Sequence, residues 1–229
     1  MQAKTHEITG ISMAVAATAL ICEPELSMVT YGSAMVAGAA VGSLLPDIDH
    51  GGSKISREHK IISKIASNKL KHRGVTHSLL ANALVAFVCF AVSYLIGNLY
   101  DGGFIGRLVV SSIMTLIVFT LYNHLDIVRK TVNDLIPYGK YVIGLLTFGV
   151  VYFSSAMFID CVDYLALGLT IGYFSHLVAD ACTVSGVAFL QPFSSKTFHF
   201  AKFHTGEHEG IFRSVCVVAT LLLIVWRCL

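Results

Sequence analysis

From Leu79 to Leu99 the chain runs without one charged side chain. A helix needs about 20 predominantly apolar residues to cross a bilayer, and this stretch has that length. It does not stand alone. Apolar runs recur at 28–45, 104–122, 141–159, 164–179 and 211–226, with a shorter one at 10–22. Charged residues make up 13% of the chain, against about 25% in a typical soluble domain, and the mean hydropathy is +0.72. An ordinary soluble protein is excluded. The expected fold is all-α, a polytopic membrane helical bundle of about six to seven apolar helices. It is read as a single domain over 1–229, multi-pass, with membrane lipids as its surroundings. No specific nucleic-acid binding is expected, and no cleavable signal peptide is evident before Glu23.

Polar chemistry is concentrated in one insert, Asp47 to Ser78. It opens with Leu45-Pro46-Asp47-Ile48-Asp49-His50 and closes with His72-Arg73-Gly74-Val75-Thr76-His77-Ser78. Between them, residues 53–71 alternate Ile55, Ile61, Ile62, Ile65 and Leu70 with six lysines and arginines. A basic amphipathic segment of this kind suits an anionic membrane surface. It also reads as a solvated connector that sets orientation, and both can hold.

Seven of the 16 basic residues lie between Lys54 and Arg73. Arg129, Lys130, Lys140, Lys196, Lys202 and Arg213 fall in the same set of alternate loops, whereas Glu23, Glu25, Asp101, Asp160 and Asp163 occupy the opposite loops. The positive-inside bias therefore puts the basic loops in the cytoplasm. Counting crossings, His6, Asp47, Asp49, His77, His176 and Asp180 all reach that same side. Tight turns are expected at 98–103 and 160–163.

His176 and Asp180 are four residues apart, one turn along one helix face, where two ligands can grip one ion. The plainer alternative is a hydrogen-bonded packing histidine. Asp47 and Asp49 follow Pro46 and can face the same way in an extended turn, or simply form a helix-ending Asx turn. Carboxylate oxygen and imidazole nitrogen suit zinc and similar divalent ions. His72 is placed in the loop and His77 in the first turn of the next helix, with Thr76 or Ser78 as its cap. Arg73 suits a phosphate, since guanidinium offers two parallel donors; otherwise it only sets orientation. The six cysteines form no C-x-x-C pair, so a thiolate zinc site is not expected. His204-Thr205-Gly206-Glu207-His208 fits the H-x-x-E-H spacing of a peptidase, but Gly206 within it argues against a continuous helix. His124 and Asp126 read as a satisfied pair, and His59 and His199 as surface residues.

The three blocks, Leu44–His50, His72–Ser78 and Ser175–Asp180, together resemble the YdjM-type bacterial inner-membrane metal-dependent hydrolases. Thr5-His6 resembles that family's N-terminal histidine, and Thr183, Gly186 and Val187 its Thr-x-x-Gly-Val. The family is in turn distantly similar to zinc-dependent phospholipase C and P1 nuclease. The resemblance implies a bacterial inner-membrane protein. It implies metal roles for Asp49, His77, His176 and Asp180, and for His6 and Asp47, with Glu209 as an extra ligand. The expected cofactor is a divalent metal, zinc first. The expected activity is hydrolysis of a phosphoester, with Asp47, His72 and Arg73 in catalytic roles. The alternative is a non-catalytic membrane protein whose helices a metal staples together.

Overall fold

The computed structural model describes residues 1–22, 26–49, 74–101, 103–124, 132, 134, 136–153, 157–207 and 209–228. Among them are seven α-helices: α1 (Ala3–Ile21), α2 (Leu26–Gly42), α3 (Leu79–Asp101), α4 (Phe104–His124), α5 (Gly139–Phe153), α6 (Met157–Ala181) and α7 (Glu209–Cys228). Two short 3-10 helices, Leu45–Asp49 and Val75–His77, flank the polar insert. The fold is a helical membrane bundle. Met28–Asp49, Leu79–Tyr100, Asp160–Ala181 and Glu209–Arg227 are long and apolar enough to span. At 1.5 Å per residue, a 22-residue segment reaches about 33 Å, enough for a hydrocarbon core of about 30 Å. The helices carry their apolar side chains outward: Leu84, Phe87 and Leu95 on α3 and Ile211, Leu221 and Leu222 on α7 are all exposed. Such surfaces are untenable in water and natural against lipid.

The chain forms two compact units. One comprises 1–91 and 161–229; the other is 92–160. In the second, α4 packs on α5, and the Tyr100 hydroxyl donates to the Val151 carbonyl at 3.3 Å. In the first, α1 packs on both α2 and α7, while α2 meets α6 through glycines on both sides. A Cβ on Gly38 or Gly42 would strike the carbonyls of Leu165 and Leu169. A Cβ on Gly168 or Gly172 would strike those of Met35 and Ala39. Both pairs are four apart, the small-xxx-small spacing that lets membrane helices approach closely. Gly10 of α1 enters the same junction, where its Cβ would lie 2.9 Å from Ser43 Cβ and 3.2 Å from Ser175 Oγ.

Two expected turns are helix instead. Residues 98–101 continue α3. Asp160-Cys161-Val162-Asp163 lies inside α6: it contains no glycine or proline to break a helix, and Asp160 sits in the first turn, where a carboxylate suits the helix dipole. The basic segment 53–71, and with it His59, lies outside the described residues, as do His50, His72, Arg73 and Asp126.

Candidate metal centre

Four helix ends bring the site together: the starts of α1 and α3 and the ends of α2 and α6. Pro46 cannot donate a backbone hydrogen bond and restricts the residue before it. α2 accordingly stops at Gly42, and the chain tightens into the 3-10 turn that carries Asp47 and Asp49. Before α3, Gly74 opens the second 3-10 turn, with His77 N–H on the Gly74 carbonyl at 3.0 Å. Ser78 caps α3, accepting from Ala81 N–H at 3.2 Å. His77 thus lies just before the helix rather than in its first turn, and Ser78 rather than Thr76 provides the cap. α6 brings His176 and Asp180, and its end is tied by the Thr183 hydroxyl, which donates to the Asp180 carbonyl at 2.7 Å.

The structure gathers His6, Asp47, His77, His176 and Asp180 into one cluster. His176 Nε2 lies 3.3 Å from His77 Nε2, 3.7 Å from Asp47 Oδ1 and 3.6 Å from Asp180 Oδ2. His77 Nε2 lies 3.8 Å from Asp47 Oδ1 and 3.7 Å from Asp180 Oδ2. Four ligands at tetrahedral corners around zinc, with bonds of about 2.0–2.2 Å, stand about 3.3–3.6 Å apart. Five of the six edges among His77 Nε2, His176 Nε2, Asp47 Oδ1 and Asp180 Oδ2 are 3.3–3.8 Å, and His77, His176 and Asp180 form one group whose ligand atoms could hold an ion together. His6 enters from α1, with Nε2 at 3.4 Å from Asp180 Oδ1 and its ring stacked on His176 at 3.7 Å between centroids. One ligand atom each from His6, Asp47 and His176 also fall within 4.8 Å of one another. His6 Nδ1 is buried without a hydrogen-bond partner, a polar atom that a ligand would satisfy. The donor set fits a divalent ion.

The outer partners fix which nitrogen faces inward. His176 Nδ1 lies 2.7 Å from the Ser43 carbonyl. A carbonyl only accepts, so Nδ1 carries the hydrogen and Nε2 offers its lone pair to the centre. That lone pair serves one ion, so the two overlapping ligand groups compete for His176. Asp49 is not in the cage. Its Oδ2 lies 3.7 Å from His77 Nδ1, on the outward side of that ring, and it accepts from the Thr76 hydroxyl. The Tyr173 hydroxyl in turn donates to the Thr76 carbonyl. This is the carboxylate–histidine arrangement that orients a ligating imidazole. Asp49→Asn is therefore expected to weaken metal binding by about 10–100-fold without abolishing it; a chelator competition titration measures this, and unchanged affinity would remove the orienting role.

Burial grades the site. The side chains of His6, His77, His176 and Asp180 are 0–2% exposed, whereas that of Asp47 is 20% exposed, so the cage opens to solvent beside Asp47. The Met1 nitrogen donates to Asp180 Oδ1 at 2.7 Å. Glu209, expected as an extra ligand, is engaged elsewhere. It accepts from the backbone N–H of Gln2 at 3.2 Å, the backbone N–H of Gly206 at 2.8 Å and the Thr5 hydroxyl. A carboxylate against the first turn of α1 complements that helix's dipole and docks α7 on it. His204 and Glu207 are exposed in a non-helical turn where Gly206 has φ +91°, so the H-x-x-E-H spacing does not lie on a helix. His208 lies outside the described residues. His199 is exposed, with Nδ1 at 3.4 Å from the Thr183 carbonyl. Nothing in the sequence pointed to the Ser43 carbonyl. Thr76, by contrast, was visible beside His77, but as a cap.

Comparison with known proteins turns this geometry into a relationship. The YdjM inner membrane protein family matches residues 1–228. The chain belongs to that family. Among its relatives, the YdjM inner membrane protein of Escherichia coli K12 is 38% identical over 95 residues, 42% of this chain and 46% of that protein. An uncharacterized Bacillus subtilis protein, YvsG, is 40% identical over 89 residues, 38% of this chain and 51% of its own length. The chain thus spans about half the length of the curated relatives it matches. No solved structure matches it. The YdjM family name fits the helices and places the protein in a bacterial inner membrane; it names no reaction.

Proposed function

We propose that this YdjM-family protein is a membrane-bound metal-dependent hydrolase acting on a phosphoester. The observation that carries this reading is the buried cluster of His6, Asp47, His77, His176 and Asp180, which contains two overlapping candidate ligand groups, His6–Asp47–His176 and His77–His176–Asp180, with His6 stacked on His176. Buried carboxylates and imidazoles are unfavourable unless they are paired or hold an ion. A divalent ion held by His77, His176 and Asp180, zinc first, would keep a fourth position open and would supply a Lewis acid and a bound water of lowered pKa. Asp47, the one cage residue reaching solvent, is positioned to take a proton from a water entering the site. Arg73, one residue before Gly74, would hold the phosphate through two parallel hydrogen bonds. Asp49 orients His77.

Arg73→Lys keeps the positive charge and loses the planar two-point contact. It is expected to retain metal and to lose about 10²–10³ in turnover, the usual effect of removing one preorganised donor. Metal content and hydrolysis of bis(4-nitrophenyl) phosphate on the same purified samples test this. Wild-type turnover in Arg73→Lys would end the phosphate role.

A second reading has its own support. The near-complete burial of four of the five cluster residues suits a metal that only staples helices. It predicts bound metal without turnover on any phosphoester. The site is proposed to face the cytoplasm, on the strength of the Lys54–Arg73 charge bias. In intact cells, on a background lacking the native cysteines, an impermeant thiol reagent should then fail to label Lys64→Cys; labelling would put the site outside.

A further inference from the structure

A second feature of the first unit lies apart from the metal cluster. Leu79 of α3, Phe174 and Val178 of α6, and Phe189, Phe198 and Phe200 of the α6–α7 connection line a groove of about 350 Å³. That volume is in the range of small-ligand pockets, about 300–1,000 Å³. No polar atom is exposed on its wall. Phe174 and Val178 each stand two positions from His176. At 3.6 residues per turn they project from the opposite face of α6, so the groove and the cage are separated by that helix.

The position of the groove indicates what fills it. α3 begins and α6 ends there, and both belong to membrane-spanning segments. The connection that closes it joins two such segments, α6 and α7. It exposes Phe193 by 85% and Phe200 by 63%, interleaved with exposed Lys196 and Lys202. Exposed apolar rings interleaved with lysines suit the boundary between acyl chains and headgroups. Lys196 Nζ lies 5.6 Å from the centre of the Phe198 ring, which lines the groove. An apolar channel with an ammonium beside one wall matches a molecule with an apolar tail and an anionic head.

We propose that the groove holds one acyl chain of an anionic phospholipid, with the lipid phosphate at Lys196, as a lipid site distinct from the metal centre. The proposal rests on the membrane placement and not on the hydrolase reading, so either can fail alone. The test is photo-crosslinking of the full chain in vesicles of phosphatidylethanolamine and phosphatidylglycerol, with a diazirine on the phosphatidylglycerol acyl chain. Cross-linked peptides are mapped by mass spectrometry. Labelling around Phe174, Val178 and Phe189 should exceed, several-fold, that at the lipid-exposed Leu221 and Leu222 of α7. Unlabelled phosphatidylglycerol should compete better than phosphatidylcholine. Val178→Trp should fill the groove and suppress its labelling. Lys196→Glu, which reverses the charge beside the groove, should abolish the headgroup preference. Both variants should keep the metal content of wild type. Groove labelling no greater than at α7, or equal competition by phosphatidylcholine, would overturn the proposal. So would cross-links joining the groove to a second protein chain.

Discussion

His176→Ala and Asp180→Asn are each expected to strip most of the metal from the purified protein. His176 Nε2 lies within 3.3–3.7 Å of three other candidate ligand atoms. Removing it deletes a ligand, whereas removing an outer partner such as Asp49 only misorients one. The loss in affinity should therefore exceed the roughly 10–100-fold typical of an outer partner. Asp180 adds a second reason. Its two oxygens face His6 on one side and His77 and His176 on the other, so losing its charge frees both halves of the cluster. Elemental analysis of variants that elute as folded protein gives the readout. Retention of a full metal complement by both would exclude this cage as the binding site.

The second large effect concerns packing. Gly172→Ala is expected to destabilise the protein by about 1–3 kcal/mol, the usual range for forcing an atom into a filled interior. The added methyl would meet the Ala39 carbonyl of α2. α2 must then move away, and with it Ser43, whose carbonyl fixes the His176 tautomer. The variant should consequently lose metal affinity as well as thermal stability. Gly149 of α5 supplies the control, because a Cβ there meets nothing within 4 Å. Gly149→Ala should be neutral or stabilising by about 0.5–1 kcal/mol, since alanine suits a helix better. Thermal unfolding in one detergent compares the two, and equal shifts would show that the glycine contact does not set the α2–α6 distance.

Much of this arrangement is legible in the sequence because a bilayer makes the code simple. A run such as 79–99 can only be a helix, and the four-residue spacing of His176 and Asp180 survives any small error in where that helix ends. The convergence of His6, Asp47, His77, His176 and Asp180 follows from counting crossings, and the structure gathers those five side chains. The failures have a common cause. Asp160 and Asp163 look like a turn because they are charged, yet two carboxylates near a helix start are compatible with helix. Asp49 looks equivalent to Asp47, but a 3-10 turn sends them to different sides of His77. Glu209 looks like a ligand, yet backbone N–H groups of Gln2 and Gly206 and the Thr5 hydroxyl claim its oxygens. Backbone donors and acceptors have no letters of their own, so the Ser43 carbonyl on His176 could not be read in advance.

The central claim is that the cage holds a divalent metal. The most direct measurement is the metal content of the full chain, purified without chelator, reloaded with zinc and freed of excess ion, followed by X-ray absorption at the zinc edge. The account predicts at least one tightly held zinc per chain, with a first shell of nitrogen and oxygen at about 2.0–2.2 Å and no sulfur at about 2.3 Å. Protein that retains no zinc after reloading, or holds it through cysteine sulfur, would contradict it.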